Sequence, residues 1–159
     1  ALGWQPPAGG KRVELAANHL CADLSPETIT ALSRVLRPLS LNRKARVYLQ
    51  GEQGSALYLV LEGEVETRLP TGRYHYKRIA KIGPGGYFGT LGFLQPGPRS
   101  TTTMVTRKAQ LLVLDRAALQ RLDQSGEQEA ARRILESVVK TVTGQLRWIR
   151  AELARIESG

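Results

Sequence analysis

The sequence predicts a chain of the α+β class that is mainly β: a jelly-roll-like β-roll flanked by N-terminal and C-terminal helices. Between residues 38 and 114, short segments rich in β-branched and aromatic residues alternate with glycines. Short strands separated by such turn signals are typical of sandwiches, barrels and jelly rolls. Apolar residues at helical spacing precede this region and return after Asp115, which predicts the flanking helices.

The chain has 159 residues, of which 42% are hydrophobic and 23% are charged. This length predicts one domain, and this composition is that of a globular rather than a disordered chain. No apolar run approaches the roughly 18 residues that cross a bilayer. Because the chain starts at Ala1 and shows no signal-peptide pattern, we expect a piece of a longer protein or a processed chain.

The N-terminal part predicts a linker and then helices. Residues 1–12 are rich in proline and glycine, and we interpret them as a linker or tag. A domain of helices and β-roll then covers residues 13–126, beginning with a short helix over residues 13–20. Ser25 is the predicted N-cap of the next helix, with Pro26 at its first position. That helix carries the apolar stripe Ile29, Leu32, Val35 and Leu36, and Pro38 ends it.

The central region predicts six strands, and a hairpin tip is expected at Thr71 and Gly72 because threonine and glycine there separate two apolar segments. The predicted strands cover residues 46–50, 56–61, 64–69, 74–82, 101–106 and 110–114.

Two helices are predicted after the β-roll. Asp115 caps a short helix that contains Ala118, Leu119 and Leu122, and a lid or dimerisation helix occupies residues 127–159. Its apolar positions keep heptad spacing and are Leu135, Val139, Val142, Leu146, Ile149, Leu153 and Ile156. Such a narrow stripe has two interpretations, a helix lying on its own β-domain or the seam of a coiled-coil dimer or docking helix.

Catalysis and metal binding find no support in the sequence. The single cysteine, Cys21, forms no internal disulfide, and a buried structural thiol in a reduced, cytoplasmic setting is expected. Only two histidines are present, and His75 lies in a predicted strand between two tyrosines. Because paired carboxylates, metal-spaced ligands and a nucleophile elbow are missing, we predict no enzyme, no metal site and no cofactor.

The net charge of +9 makes the surface attractive to anionic partners, and its alternative interpretation is an ordinary solvated basic surface. Nucleic acids, nucleotides, acidic lipid headgroups and acidic proteins are all anionic partners of this kind. The basic residues are scattered and form no block of five or more, which argues against a dedicated nucleic-acid tail. Nucleic-acid binding is therefore the weaker alternative.

Residues 83–103 (GPGGYFGTLGFLQPGPRSTTT) are the segment best suited to hold an anion. Gly89 and its neighbouring glycines let the backbone approach a ligand closely, and residues 91–94 allow one helical turn. Arg99 offers a planar fork of donors for phosphate oxygens, and Ser100 adds a hydroxyl. The alternative is an ordinary solvated loop with one arginine.

This segment resembles the phosphate-binding cassette of the cyclic nucleotide-binding domain family, whose pattern is F-G-E-[LI]-[AG]-L, a short loop and P-R-[ATS]-[AT]. The chain shows FGTLGFL at residues 88–94 and PRST at 98–101. The run VYLQGEQGSALYLVLEGEVET at 47–67 is similar to the strands and glycine turns that precede the cassette. The resemblance covers residues 24–125 and implies the β-roll fold.

The resemblance also implies a ligand, cyclic AMP or cyclic GMP, and a regulatory role in which the last helix acts as a lid. The implied site residues are Gly89, Thr90, Leu91, Arg99, Ser100 and Thr101. Arg99 would bind the cyclic phosphate with Ser100, while backbone amides at residues 89–91 complete the cradle. Thr90 stands where the family has the glutamate that accepts from the ribose hydroxyl. Lys44 and Ala45 replace the usual Gly-Glu pair, and residues 96–98 (PGP) stiffen the loop.

The parent protein is inferred from the tail alone. This tail resembles the endings of bacterial chains in which such a module is the last domain of a larger protein, such as sulfate-permease-type anion transporters and some glutaminases. No helix-turn-helix of the catabolite-activator type fits before Gly159. We therefore expect a cytoplasmic regulatory domain. If the parent protein is a transporter, the domain would lie at the cytoplasmic face of the membrane. The alternative is a degenerate cassette that serves as an interaction module, with a homodimer through the last helix.

Overall fold

The computed structural model describes residues 12–158, apart from the side chains of Gln145, Ile149 and Ser158. The predicted linker and its Trp4 lie outside the described residues, except for Arg12 at the linker's end. Two 3-10 turns, Leu15–Ala17 and His19–Cys21, open the described chain. No helix within this range is long and apolar enough to cross a membrane.

The single helix predicted for residues 13–20 is wrong, because Asn18 breaks it. Its backbone is extended, with φ −67° and ψ 141°. The Asn18 side chain accepts a hydrogen bond from the Leu20 amide at 3.0 Å and donates to the Gly86 carbonyl at 2.9 Å. This contact across the chain fixes the second turn against the β-roll.

The first α-helix, α1 (Pro26–Val35), begins as predicted, with the Ser25 hydroxyl accepting from the Thr28 amide. The chain then turns extended at Leu36 and enters β1 (Arg37–Leu41), a strand the sequence did not predict. Pro38 lies inside this strand. It is tolerated because β1 is at the edge of its sheet, where one side of the strand needs no ladder hydrogen bond.

The β-roll is built on two long antiparallel strands, β4 (Ala56–Pro70) and β8 (Thr102–Asp115). Each combines two strands that the sequence predicts separately. Gly63, with φ 87°, interrupts the apolar pattern of β4 without ending the strand. Glycine is required at this position because a Cβ there would collide with the Lys108 backbone of β8.

The remaining strands complete one six-stranded sheet and a two-stranded ribbon. The further strands are β2 (Arg46–Tyr48), β3 (Gln53–Gly54), β5 (Tyr76–Ile82), β6 (Tyr87–Phe88) and β7 (Gly97–Pro98). The sheet has the order β1-β8-β4-β5, with β2 also on β8 and β6 on β4, and β3 pairs with β7 in the ribbon. The hairpin between β4 and β5 turns at Thr71 and Gly72, as predicted, with the Thr71 amide bonded to the His75 carbonyl.

The other helices are α2 (Thr90–Leu94), α3 (Arg116–Gln124) and α4 (Gln128–Ser158). Asp115 caps α3 as predicted, accepting from the Ala118 amide at 2.8 Å. One apolar cluster joins these helices and α1 to the sheet, with Phe93, Ile134 and Val138 fully buried in it. A second cluster fills the interior of the roll around Val60, Val65 and Phe88.

The face by which α4 packs on the domain differs from the predicted heptad stripe. Ala131, Ile134 and Val138 are buried at spacings of three and four. On the adjacent stripe, Leu135 is partly buried, whereas Leu146 is 46% exposed and Leu153 is 52% exposed. The helix therefore lies on its own domain through one face and leaves most of the described heptad side chains uncovered.

Candidate functional site

A cleft of about 1130 Å³ runs between the β-roll, the cassette and α4. The interior of the roll contributes Tyr48, Thr67 and Ala80 to its lining, and the α4 wall includes Thr141 and Gly144. All six site residues predicted from the sequence line this cleft, namely Gly89, Thr90, Leu91, Arg99, Ser100 and Thr101. Its volume is that of a pocket for an organic ligand rather than for a single ion.

Arg99 is held deep in the wall of the cleft and is only 7% exposed. Its Nη2 donates to the Ala56 carbonyl at 2.8 Å, and its Nη1 lies 3.4 Å from the Gly89 carbonyl. The guanidinium carbon is 4.3 Å from the centroid of the Tyr48 ring. The Nε atom is buried and has no hydrogen-bond partner among the described residues. A fixed positive charge thus faces an aromatic ring with one donor unused.

Glycines provide the space that the Arg99 guanidinium occupies. An ideal Cβ at Gly54 would lie 2.5 Å from the guanidinium carbon, and one at Gly92 would lie 2.5 Å from Nη1. Gly89, with φ 84°, is the N-cap of α2, and a Cβ there would meet the Ala56 carbonyl at 2.9 Å. Side chains at these positions would displace the arginine or the strand beside it.

The backbone of Arg99 is fixed as firmly as its side chain. Its amide donates to the Glu52 carbonyl at 2.8 Å, and its carbonyl accepts from the Gly51 amide at 2.8 Å. Ser100 is exposed beside it, and its carbonyl accepts a hydrogen bond from the Gln50 side chain at 3.3 Å. The loop that precedes β3 therefore holds the Arg99 backbone in place, and the Ser100 side chain lies at the rim of the cleft.

The cassette helix α2 presents both polar and apolar groups to the cleft. Thr90 and Leu91 form its first turn, and Leu91 is 57% exposed. An exposed leucine at the mouth of a polar cleft offers an apolar surface to the flat face of a ligand. Thr90 carries the one hydroxyl side chain of this short helix.

Three polar contacts fasten α4 over the cleft. The Tyr87 and Thr141 hydroxyls are hydrogen-bonded to each other, and the Ser137 hydroxyl donates to the Leu20 carbonyl at 2.7 Å. Lys140 and Asp23 form an ion pair at 2.8 Å. The hydrogen bond and charge of Lys140 lower the pKa of Asp23, whereas burial raises the pKa of Tyr87. A hydrogen bond of this kind contributes about 0.5–1.5 kcal/mol, and an exposed ion pair contributes about 1 kcal/mol or less.

The electrostatics of the cleft favour an anion. Its cationic lining includes Arg99, Lys81 and Lys140, and the one carboxylate among the described lining residues is Asp23. That carboxylate is already paired with Lys140. Positive charge in a concave site with apolar walls is concentrated there and attracts negatively charged ligands.

Several residues of the site were missed by sequence reasoning. Tyr48 and Gly54, which contact Arg99, lie at least 45 residues before it in the chain. Thr141 on α4 was also missed, because the heptad pattern drew attention to the neighbouring face. The sequence did carry one signal for them, namely Tyr48 and the glycines that follow it. The family resemblance includes this run but does not indicate that it contacts Arg99.

The fold and the site together define a β-roll domain with a buried arginine at a glycine-lined turn, covered by the long helix α4. The sequence model of the cyclic nucleotide-binding domain matches residues 38–125, more than half of the chain. The chain belongs to the cyclic nucleotide-binding domain family, with the β-roll of the catabolite-activator type.

Individual relatives agree with this assignment. The chain is 33% identical over 107 residues to a CRP-like cAMP-activated global transcriptional regulator of Mycobacterium tuberculosis, a match covering 66% of this chain and 47% of the regulator. It is 30% identical over 136 residues to a cAMP-dependent protein kinase regulatory subunit of Emericella nidulans, covering 75% and 33%. The crystal structure of the Thermus thermophilus catabolite activator protein superposes with a TM-score of 0.76 at 26% identity, covering 88% and 63%. The chain thus spans less than half the length of these two curated relatives.

Proposed function

We propose that the chain binds a cyclic nucleotide in the cleft, with the cyclic phosphate on Arg99, and passes the binding on by a movement of α4. The observation that carries this proposal is the buried Arg99 guanidinium with its orphaned Nε at the glycine-lined turn. The relatives described above include proteins named for cyclic AMP, which supports the ligand class.

Phosphate binding would require only a small rearrangement of the arginine. The contact of Nη1 with the Gly89 carbonyl is long, at 3.4 Å, and that carbonyl also accepts from the Phe93 amide at 3.2 Å. Exchanging this shared contact for a phosphate oxygen leaves the shorter bond to Ala56 intact. The carbonyl is a neutral acceptor whereas a phosphate oxygen carries negative charge, so the exchange strengthens the bond from the guanidinium. Ser100 and Thr101 add hydroxyls at the rim, and the backbone amides at Gly89, Thr90 and Leu91 face the same turn.

The signal would pass through the contacts that fasten α4. Tyr87 adjoins the cassette through β6, and its hydroxyl is bonded to Thr141 in the wall of the cleft. A nucleobase that enters the cleft beside Tyr87 and Thr141 would break or tighten that bond and shift the helix. The domain division into helix plus β-roll (13–126) and lid helix (127–159) forms part of this proposal.

Isothermal titration with cyclic AMP and cyclic GMP tests the proposal. We expect heat of binding for at least one of them, and Arg99→Ala should weaken the affinity by about tenfold or more, the value of a lost charge-assisted hydrogen bond. Arg73→Ala, at the exposed tip of the β4–β5 hairpin, is the matched control and should bind like the original chain. A folded chain that releases no heat with either nucleotide at high micromolar concentration would overturn the proposal.

Thr90 provides a second test of the same site. Thr90→Glu supplies the carboxylate that would accept from the ribose 2′-hydroxyl, and we expect affinity to rise by about tenfold. Thr90→Gln has a similar length without the charge and should give a smaller gain. An unchanged or lower affinity in Thr90→Glu would show that the ribose does not lie at this position.

A second candidate function, self-association through α4, is favoured by the uncovered heptad stripe. Val139, Leu146, Leu153 and Ile156 are between 44% and 71% exposed. Two copies of such a stripe can bury each other as a coiled coil. Val142 is partly buried, and the side chain of Ile149 lies outside the described part.

Light scattering tests this second candidate. Leu146→Asp with Leu153→Asp should convert a dimer to a monomer, whereas Ala151→Asp, on the opposite face of the exposed helix, should leave the dimer intact. If the original chain is a monomer at high concentration, self-association through α4 is excluded. A folded dimer that binds no cyclic nucleotide would instead favour the interaction module with a degenerate cassette.

The wider setting is also part of the proposal. We propose a regulatory rather than an enzymatic role for the chain, as the relatives named above are regulators. A cytoplasmic location is supported by the single free thiol of Cys21. A transporter as parent protein is supported by the resemblance of the tail alone.

A further inference from the structure

A second group of cations lies on the face of the sheet that points away from the cleft. Successive residues of a strand point to opposite faces, so Thr67 lines the cleft while Glu66 and Arg68 point to the other side. Across the sheet, Arg68 is paired with Arg78 on β5, and Glu66 with Met104 on β8. Directly paired residues share a face, so Arg68 and Arg78 lie side by side on this outer face.

A small concavity of about 220 Å³ opens on this face. Arg43, Lys44 and Arg68 line it with their cationic side chains, and three residues of β8, Met104, Val105 and Thr106, complete it. The Thr106 hydroxyl is bonded to the Glu64 carboxylate at 2.7 Å. The concavity is smaller than a pocket for an organic ligand and suits a single charged group.

Arg68 is fixed in position by a buried carboxylate. Glu66 is 2% exposed and accepts from the Nε atoms of Arg68 at 2.9 Å and Arg78 at 3.2 Å. The Arg68 guanidinium also lies 4.3 Å from the centroid of the Tyr76 ring. Among the described residues, no hydrogen bond engages the Nη atoms of either arginine. A planar fork of donors is therefore held rigid, with its outer edge available.

Lys44 is brought to the same place by an uncommon backbone conformation. Its φ of 74° is the one positive φ of a non-glycine residue in the described part of the chain. The Lys44 amide donates to the Val105 carbonyl at 2.8 Å, and the Val105 amide donates to Ala45 at 2.8 Å. Glycine would adopt this conformation without steric cost, yet the position carries a cation.

The sequence around the concavity has little negative charge to compete with a ligand. Residues 67–114 contain eight lysines and arginines and no aspartate or glutamate. Glu66 is neutralised by two arginines, and Glu64 is bonded to Thr106. The concavity therefore combines three cations with no free carboxylate in its lining.

We propose that this concavity is a second anion site, which binds a phosphate group held by Arg43, Lys44 and Arg68. Guanidinium forks and ammonium groups are the side chains that proteins use for phosphate oxygens. The phosphate comes from a free anion or from a phospholipid headgroup, and both sources present the same chemistry to the site. The site is independent of the cleft and of the function proposed for it.

The first experiment is a titration with inorganic phosphate at constant ionic strength, followed by NMR of the backbone amides. Saturable shifts at Lys44 and Val105 are expected, and because shifts are measured residue by residue, binding at Arg99 is recorded separately. Lys44→Gly should weaken this binding by about fivefold, the value of one exposed ion pair. It should also raise the melting temperature, because glycine relieves the positive φ, so loss of folding cannot explain the result. Lys108→Ala removes the same charge outside the concavity and is the control.

The second experiment identifies the source of the phosphate. The chain is sedimented with phosphatidylcholine vesicles that contain or lack the anionic lipid phosphatidylglycerol. Binding that requires phosphatidylglycerol and is weakened by Lys44→Gly supports a lipid headgroup. Saturable phosphate binding without vesicle binding supports a free anion. Equal phosphate affinity in the original chain, Lys44→Gly and Lys108→Ala would overturn the proposal. Tighter binding of a DNA duplex than of either probe, sensitive to Lys44→Gly, would overturn it in favour of a nucleic-acid surface.

Discussion

Replacing Gly54 by alanine tests the placement of Arg99 without removing its charge. Gly54 does not adopt a positive φ, so alanine introduces no backbone strain there. Its Cβ would lie 2.5 Å from the Arg99 guanidinium carbon, inside van der Waals contact. Gly92 and the Tyr48 ring also border the guanidinium, so it would have to leave its present position toward the open cleft that Arg99 lines. The substitution must therefore expel the guanidinium from its place.

The expected magnitude follows from the contacts that would be lost. The Ala56 carbonyl would lose its 2.8 Å hydrogen bond, and a buried acceptor without a partner costs about 1–3 kcal/mol. Loss of the contact with Tyr48 adds about 1 kcal/mol or more, since the cation is desolvated. We expect unfolding free energy to fall by about 2–4 kcal/mol, which corresponds to roughly 5–15 °C in melting temperature for a chain of this size.

The assay combines thermal unfolding with nucleotide titration. Gly54→Ala should lower the melting temperature and weaken cyclic nucleotide binding by at least about tenfold, because the displaced arginine no longer offers its fork. Gly72→Ala is the control, as its Cβ would meet only His75 at an ordinary 3.7 Å. Melting and binding like those of the original chain in Gly54→Ala would refute the buried position of Arg99 and the argument built on it.

Three further predictions concern other parts of the chain. Burial opposes ionisation of Glu66, but the hydrogen bonds and charges of Arg68 and Arg78 outweigh it and lower its pKa. The stabilisation that ionised Glu66 gives is fully present above its ordinary pKa of 4.5 and is lost as the pH falls through its lower pKa in the folded chain. Glu66→Gln should therefore make the melting temperature less dependent on pH in the acid range. The same dependence of melting temperature on pH in both chains would contradict this. Burial raises the pKa of Cys21 to about 11, so a thiol reagent at pH 8 should label it only after unfolding, and rapid labelling of the native chain would contradict its burial. Tyr87→Phe should speed amide exchange in α4 near residue 141, whereas unchanged exchange would show that this hydroxyl does not fasten the helix.

The elements that sequence reasoning predicted well are those determined by local chemistry. Ser25 and Asp115 cap helices because a side-chain oxygen reaches an amide three residues ahead, and that relation is visible in the sequence. The cassette was located in the same way, from the glycines and Arg99 within one short segment. The class of fold followed from the alternation of strands and turns, which is also a local pattern.

The elements that were missed depend on partners far away in the chain. Gly63 has the signature of a turn, yet the pairing of β4 with β8 carries the strand through it. Asn18 breaks a helix because Gly86 lies beside it in the fold. The direction of the Arg99 side chain is set by Tyr48, Gly54 and Ala56, none of which is adjacent in sequence. A local pattern therefore locates a functional residue, but its long-range neighbours decide what its donors are free to do.

The alternation of side chains along β4 allows the two proposed anion sites to share one strand without sharing residues. Thr67 lines the cleft, whereas the next residue, Arg68, lines the outer concavity and is paired there with Glu66. Arg99 is supported by carbonyls and an aromatic ring, whereas Arg68 is supported by a carboxylate and an aromatic ring. The carboxylate cancels one charge and leaves rigidity, while the carbonyls leave the full charge in place. The cleft is therefore the stronger attractor of an anion, and the outer concavity depends on Lys44 and Arg43 for its net charge.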